Sequence, residues 1–436
     1  MNKKIVLLVL ALALVSVIIA ACAPAATPAP AATSAPAAKP TTGAASGKLE
    51  IFSWWTTGGE AAGLAGMFDL YKKQNPGIDI INATVAGGAG SNAQAVLKTR
   101  MLGGDPPDSF QVHMGHELVD TWVTPADKME DLSDLFAKNG FNTAFPKGVL
   151  DIVSYNGKPY SVPVNIHRAN VLWYNKKVFA DNKLDAPKTF DDFFKVADAL
   201  KAKGITPLAV GDNGPWASGQ VFETVLIGTL GADGYNGLWT GKTAWTDSKV
   251  TDALNTFKKM MTYVNSDHAA LSWDQANDLV ISGKAAMTIM GDWIDGDYTA
   301  KKFPDFGWVA APGNDGIFDA LSDTFGLPKG AKNRENSLKW LALAGSKEGQ
   351  EAFNPKKGSI CARTDCNPQL FDTYLQSAIK DWQANKIVPS LEHGAAAKPG
   401  WVTSFSDVVT GFIAKGDVAA SQKALAQACV DATVCK

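Results

Sequence analysis

Between Lys48 and His113 the chain alternates strand and helix patterns, and this alternation restricts its fold more than any other feature. Lys48–Phe52 reads as a β-strand, and Ala61, Leu64, Met67, Phe68 and Tyr71 then recur at helical spacing. An Asn-Pro-Gly turn at 75–77 leads to a second strand ending near Asn82. Asn92–Met101 forms the next helix and Ser109–His113 the next strand. Strands separated by helices are joined by crossovers, which predicts an α/β lobe with a parallel sheet. Ligands of such sheets bind beyond the carboxyl ends of the strands. The loop Phe52-Ser-Trp-Trp-Thr-Thr-Gly-Gly-Glu60 lies at such an end. Trp55 offers a flat apolar face and Glu60 a carboxylate at a helix start, a combination that suits the C–H face and hydroxyl rim of a sugar ring. Burial in the core is the competing role for one of the two indoles. Gln111 and His113 are two apart on a strand and share a face at another strand end.

The pattern changes at Tyr155–Pro163, where a hairpin-like turn precedes an extended, proline-containing segment expected to leave the first lobe. Val164–Asn175 is β-prone and opens a second lobe, with His167 near its start and facing the crevice. Thr189–Lys203 is an amphipathic helix with Thr189 as its N-cap, and Ile205–Val210 is a strand. Gly283–Trp293 reads as a helix end, a buried strand and a Gly-Asp-Trp loop that presents Trp293 as the first loop presents Trp55. Phe306–Pro312 is strand-like and is expected to return toward the first lobe. Leu321–Lys329, which contains Asp323, is a further crossing segment, and the remainder reads as helical. The expected division is residues 47–160 with part of 313–365 in one lobe, and 161–312 with part of 366–436 in the other.

The N-terminus reads as an address. Lys3 and Lys4 precede an apolar run from Ile5 to Ala21, and Ile19-Ala20-Ala21-Cys22 resembles a bacterial lipobox. A run of 17 residues is short for a membrane span, so residues 1–22 are expected to be a lipoprotein signal, with the lipid on Cys22. Residues 23–46 are nearly all Ala, Pro, Thr, Ser and Gly, a composition that buries no core and serves as a spacer. Four further cysteines in an exported chain suggest disulfides, and local pairs Cys361–Cys366 and Cys429–Cys435 are the simplest of three connectivities. Their spacing is not that of a zinc site, and His113, His116 and Glu117 lack the His-Glu-x-x-His order of a zinc helix. No metal or other cofactor is expected. Gly87-Gly88-Ala89-Gly90 lacks the lysine of a phosphate loop and reads as a plain turn. Asp105 and Asp108 read as solvated turn residues rather than a catalytic pair. With 41 basic and 43 acidic residues and no basic block, nucleic-acid binding has no support.

Taken in order, "YNGKPYSVPVNIHRANVLWYNKKVF", "PKTFDDFFKVADALKAKGITPLAVG", "GKAAMTIMGDW" and "GSKEGQEAF" give the chain a resemblance, from Lys48 to at least Trp401, to extracellular solute-binding proteins of carbohydrate-uptake ABC transporters. Through "FSWWTTGGE", "KTRMLGGDPPDSFQVH", "LSD", "NPKKGSI" and "HGA" it is similar, more narrowly, to bacterial glucose/galactose-binding proteins. The resemblance implies a two-lobed periplasmic-binding-protein-like fold of type II, with hinge strands crossing between the lobes and the ligand in the interlobe cleft. It implies stacking by Trp55, Trp273 and Trp293, and polar contacts from Glu60, Gln111, His113, His167, Asp323, Lys357 and His393. Lys357 and His393 rest on the resemblance alone. Trp401 and the four downstream cysteines depart from the family pattern.

The implied function is capture of glucose or galactose by a monomer tethered at the outer face of the membrane, or periplasmic, and delivery to a permease after lobe closure. Two rivals follow from the same residues. A secreted glycoside hydrolase would use a carboxylate pair such as Glu60 and Asp323. A binding protein for a larger oligosaccharide would use the same aromatic surface in a longer cleft.

Overall fold

The computed structural model describes residues 47–435; the expected signal, Cys22 and the spacer lie outside them. The first strands are β1 (Gly47–Ser53), β2 (Ile78–Thr84) and β3 (Ser109–His113). A small hairpin, β4 (Ser154–Tyr155) and β5 (Lys158–Pro159), precedes β6 (Ser161–Pro163). There follow β7 (His167–Arg168), β8 (Val171–Asn175), β9 (Thr206–Ala209), β10 (Ala285–Met290) and β11 (Phe306–Ala310). The last are β12 (Ile317–Leu321), β13 (Asp323–Gly326) and β14 (Lys386–Pro389).

The first sheet has the order β2-β1-β3-β13-β6. β1 runs parallel to both β2 and β3, as the intervening helices require, and is joined at the other side of β3 by the antiparallel β13. The second sheet has the order β11-β8-β10-β9, and a third, β14-β12-β7, lies between them in the chain path. The path β6–β7–β8 passes from the first sheet through the third to the second, and β12–β13 passes back through the single residue Ser322. The two passages are tied together where Val164 N–H donates to the Asp323 carbonyl (3.0 Å). A third segment joins them after Lys357, through reciprocal bonds between Ile166 and Ile360 (2.8 and 3.1 Å).

Helix Gly58–Gln74 follows β1 and packs tightly on helices Lys347–Lys357 and Trp293–Ala300. Gly59 makes this approach possible, since a Cβ there would lie 2.4 Å from the Lys356 carbonyl oxygen and 2.6 Å from Gly296. Thr189 caps helix Phe190–Lys201 in a capping box with Asp192. In the second lobe Trp239, Trp245 and Trp401 share a core cluster, with Trp239 5.0 Å from Trp401 and 5.3 Å from Trp245, which gives Trp401 a packing role. Among the described residues no helix is long and apolar enough to cross a membrane. Both local disulfides are present, Cys361–Cys366 and Cys429–Cys435.

Three expectations are corrected. Phe306–Ala310 does not return toward the first lobe; β11 pairs with β8, with Trp308 opposite Trp173, because its aromatic side chains pack on Trp173, Tyr298 and Tyr374. The C-terminal part is not wholly helical: β14 pairs parallel to β12, and its four residues were too few and too exposed to show a period. Asp105 is a surface residue paired with Lys332, but Asp108 is buried. Its carboxylate accepts Glu50 N–H (2.7 Å) and both Asn333 N–H (2.8 Å) and Nδ2–H (2.9 Å), fixing the start of a helix against β1. The strand Ser161–Pro163 joins the first sheet, so the chain leaves that sheet after Pro163.

Candidate functional site

The carboxyl ends of β1 and β3, the crossing segments and the helix starts around them enclose a cavity of about 560 Å³. Trp55, Glu60, His113, His167, Trp273, Trp293, Asp323, Lys357 and His393 line it. Gln111 does not. It stands one layer behind, accepting Trp54 N–H at Oε1 (3.1 Å) and donating from Nε2 to Asp323 Oδ1 (2.8 Å). Trp54, Thr57, Asn92 and Trp216 line the cavity as well.

Strand register places Asp323 at the centre. It sits opposite His113 across β13 and β3, one residue beyond Ser322 and the Leu321–His167 pair. Asn165 Nδ2 donates to Asp323 Oδ2 (2.8 Å), and Asp323 N–H donates to Asn165 Oδ1 (2.7 Å). The ring Nε2 atoms of His167 and His113 lie 3.4 and 3.8 Å from its two oxygens. Burial by itself would raise this carboxyl, but His167, the Lys357 charge and His113 outweigh it and hold Asp323 well below the usual carboxylate range.

Each neighbouring group is paired in turn. His113 Nδ1 bonds Glu117 Oε2 (2.7 Å); burial disfavours its cation, yet Glu117 and Asp323 more than offset this and raise its pKa. His167 Nδ1 bonds the fully buried Asp292, whose other oxygen accepts Arg168 N–H (3.0 Å). Lys357 Nζ donates to Glu60 Oε1 (3.0 Å), and burial leaves the Glu60 carboxyl raised despite that partner. His393 bonds Ser390 Oγ through Nδ1 (2.9 Å), and burial together with the neighbouring His113 keeps it well below its ordinary pKa, hence neutral. Among the described residues no group of three or more His, Cys, Asp or Glu is arranged to hold a metal ion.

The apolar walls are indoles. Trp55 is 1% exposed and packs on Phe353 (4.8 Å) and Phe325 (5.7 Å), so it is both a core residue and an edge of the cavity. Trp54 leans on the His113 ring at 4.9 Å. Trp293 stands 5.3 Å from His393 and 6.1 Å from Trp216, and Lys357 Nζ lies 5.8 Å from its ring centre. Trp216 and Trp54 were not singled out from sequence. The strand-end rule that identified Trp55 applies equally to Trp216, which follows β9 at the start of a helix. Asn165 had no such signal, because its role depends on the distant Asp323.

A model of the bacterial extracellular solute-binding proteins matches residues 54–351. An uncharacterized ABC transporter extracellular-binding protein of Pyrococcus horikoshii is 38% identical over 376 residues, covering 85% of this chain and 85% of that protein. A Mesorhizobium japonicum protein described as a "probable sugar-binding periplasmic protein" is 34% identical over 391 residues, covering 87% of this chain and 92% of that one. In three dimensions the chain is similar to the bacterial solute receptor AcbH, described as preferring β-D-galactopyranose. The TM-score is 0.79 at 20% identity, over 89% of this chain and 99% of that one. The α/β fold is therefore the two-lobed one that the resemblance implied.

Proposed function

The chain belongs to the bacterial extracellular solute-binding proteins, and on that premise we propose that it captures a monosaccharide, glucose or galactose, and presents it to an ABC transporter permease by lobe closure. It is a sugar-binding component of ABC uptake, acting outside the cytoplasmic membrane. We assign its tether to a lipid on Cys22, with the spacer holding a monomeric binding unit off the membrane.

The observation that carries the proposal is a wall of buried charges already paired with one another and faced by indoles. Lys357 is matched by Glu60, His113 by Glu117, and Asp323 by two imidazoles and two amides. Among the described residues that line the cavity, Lys357 is the one Lys or Arg, and Glu60 takes its charge, so none is left over for an anionic ligand. Hydroxyls can both donate to these carboxylates and accept from the ammonium and imidazoles, while indole faces cover the ring C–H groups. A micromolar affinity corresponds to about −8.2 kcal/mol, within reach of several such contacts after closure. No turnover of an aryl glycoside is expected, because the family model and the named relatives are those of solute-binding proteins.

A disaccharide is the second reading, favoured by volume. At organic-crystal packing a pyranose of about 12 non-hydrogen atoms occupies on the order of 200 Å³, less than the 560 Å³ present. Melting temperature with glucose, galactose, xylose and maltose separates the two, because a ligand of the native state stabilises by RT ln(1 + [L]/Kd). A shift with glucose or galactose and none with maltose supports the monosaccharide. A maltose shift alone replaces it with the disaccharide, and no shift with any sugar removes both.

A further inference from the structure

The turn Gly87–Gly90 lines the cavity from the first lobe through Gly87, Gly88 and Ala89, and its glycines are there for two reasons. Gly87 and Gly90 have φ of 154° and 75°, a region that favours glycine. Gly88 is not in that region; it is confined by what it touches. A Cβ on Gly88 would lie 2.3 Å from Nε1, 2.7 Å from Cε2 and 2.8 Å from Cζ2 of Trp216. Trp216 belongs to the other side of the cleft, at the start of the helix Trp216–Thr240 that follows β9, and is only 8% exposed. Its ring is set by Trp293 and His393, each 6.1 Å away. The turn is shaped independently of Trp216, by Ser91 Oγ–H donating to the Gly88 carbonyl (3.2 Å) and Asn92 Nδ2–H to the Ala86 carbonyl (3.1 Å). Two separately positioned surfaces, one per lobe, thus meet in van der Waals contact beside the cavity.

We propose that Gly88 and Trp216 form the latch of the closed cleft: a contact made only on closure, which retains the bound sugar and which no side chain larger than hydrogen at position 88 permits. The latch rests on the capture function proposed above and assigns the retention step to two residues. The sugar enters while the lobes are apart, so the contact governs escape rather than entry. Gly88→Ala keeps an allowed backbone but places a methyl group against a held indole, and the lobes stop short of full closure.

The test is stopped-flow binding of whichever of glucose or galactose the wild-type protein takes, with Gly88→Ala, Trp216→Phe and the double variant. Gly88→Ala is expected to raise the dissociation rate by about tenfold or more while association changes less than about threefold. In the W216F background, where the smaller ring leaves room for the methyl, the same substitution is expected to cost less than about twofold. Unchanged dissociation in G88A overturns the latch, as does an equal penalty in both backgrounds, which would place the effect in the turn itself. A large loss of association in G88A would likewise show that the turn acts in entry. If the wild type takes up no sugar, the capture function fails, and the latch with it; a wild type that binds while G88A dissociates normally sinks the latch alone.

Discussion

Asp323→Asn is the most informative substitution, because the geometry gives the isosteric amide no arrangement in which every donor is satisfied. Gln111 Nε2 donates to one carboxylate oxygen and Asn165 Nδ2 to the other, each at 2.8 Å. An asparagine offers one oxygen and one NH2, so one of those donors faces another donor. Flipping the Gln111 amide sacrifices the acceptor of Trp54 N–H, and flipping Asn165 sacrifices the acceptor of the residue-323 N–H. One buried unsatisfied group costs about 1–3 kcal/mol, and loss of a buried charge that compensates other charges costs about 3–5 kcal/mol. The two effects overlap at one side chain, so the larger sets the expected deficit, about 3–5 kcal/mol in chemical denaturation at pH 7. Since Asp323 titrates well below the usual carboxylate range, its stabilisation is fully present above that range and is lost only in strong acid. The deficit should thus hold across mildly acidic pH. Removing the charge also withdraws support from the His113 cation, so the His113 imidazole should titrate at lower pH by NMR. A deficit under about 0.5 kcal/mol, with the His113 titration unmoved, would refute the reasoning.

Three other outcomes follow from named contacts. Glu60→Ala leaves Lys357 buried without its partner and should weaken sugar binding by at least about tenfold, about 1.4 kcal/mol; isothermal titration within twofold of wild type would remove Glu60 from the site. Glu223 is buried, and burial pushes its carboxyl up to about 7 despite bonds from Tyr235, the Leu391 and Glu392 N–H groups and Ser390. A carboxyl raised in the folded state favours folding below its unfolded value near 4.5 and loses that advantage as pH rises to about 7. The melting temperature of Glu223→Gln relative to wild type should therefore climb across that window, and a flat difference would contradict the assignment. Cys361–Cys366 closes a short loop just after Lys357, worth about 2 kcal/mol in chain entropy; Cys361→Ser with Cys366→Ser should lower both melting temperature and sugar affinity, and no change in either would deny the bridge a part in holding that loop.

Local pattern carried some residues to their places and not others. Trp55, Glu60, His113 and Trp293 were legible because strand ends in an α/β chain have a fixed relation to the cleft, and all four line it. Gln111 shared that signal but turned to the layer behind, where β13 supplied Asp323 as its partner from 212 residues away. Lys357 and His393 carry no strand-end signal, so only the family likeness pointed to them. The plain-turn reading of Gly87–Gly90 missed its contact with Trp216, and Asp108 was misjudged because its partners Glu50 and Asn333 are distant in sequence.

By itself, then, the sequence determined what depends on near neighbours: the alternating elements, the capped helix at Thr189 and the strand-end aromatics, while three disulfide connectivities stayed open until the structure showed the local pairs. The tertiary structure decided what depends on closure of long loops. Three crossing segments meet at Val164, Asp323 and Ile360, and only their meeting sets Asp323 between His113 and His167. Charge pairing and ring contact fall off within a few ångströms, while sequence spacing measures only distance along the chain. For that reason the identity of the cavity-lining residues could be read in part, but their protonation, their partners and the Gly88–Trp216 contact could not.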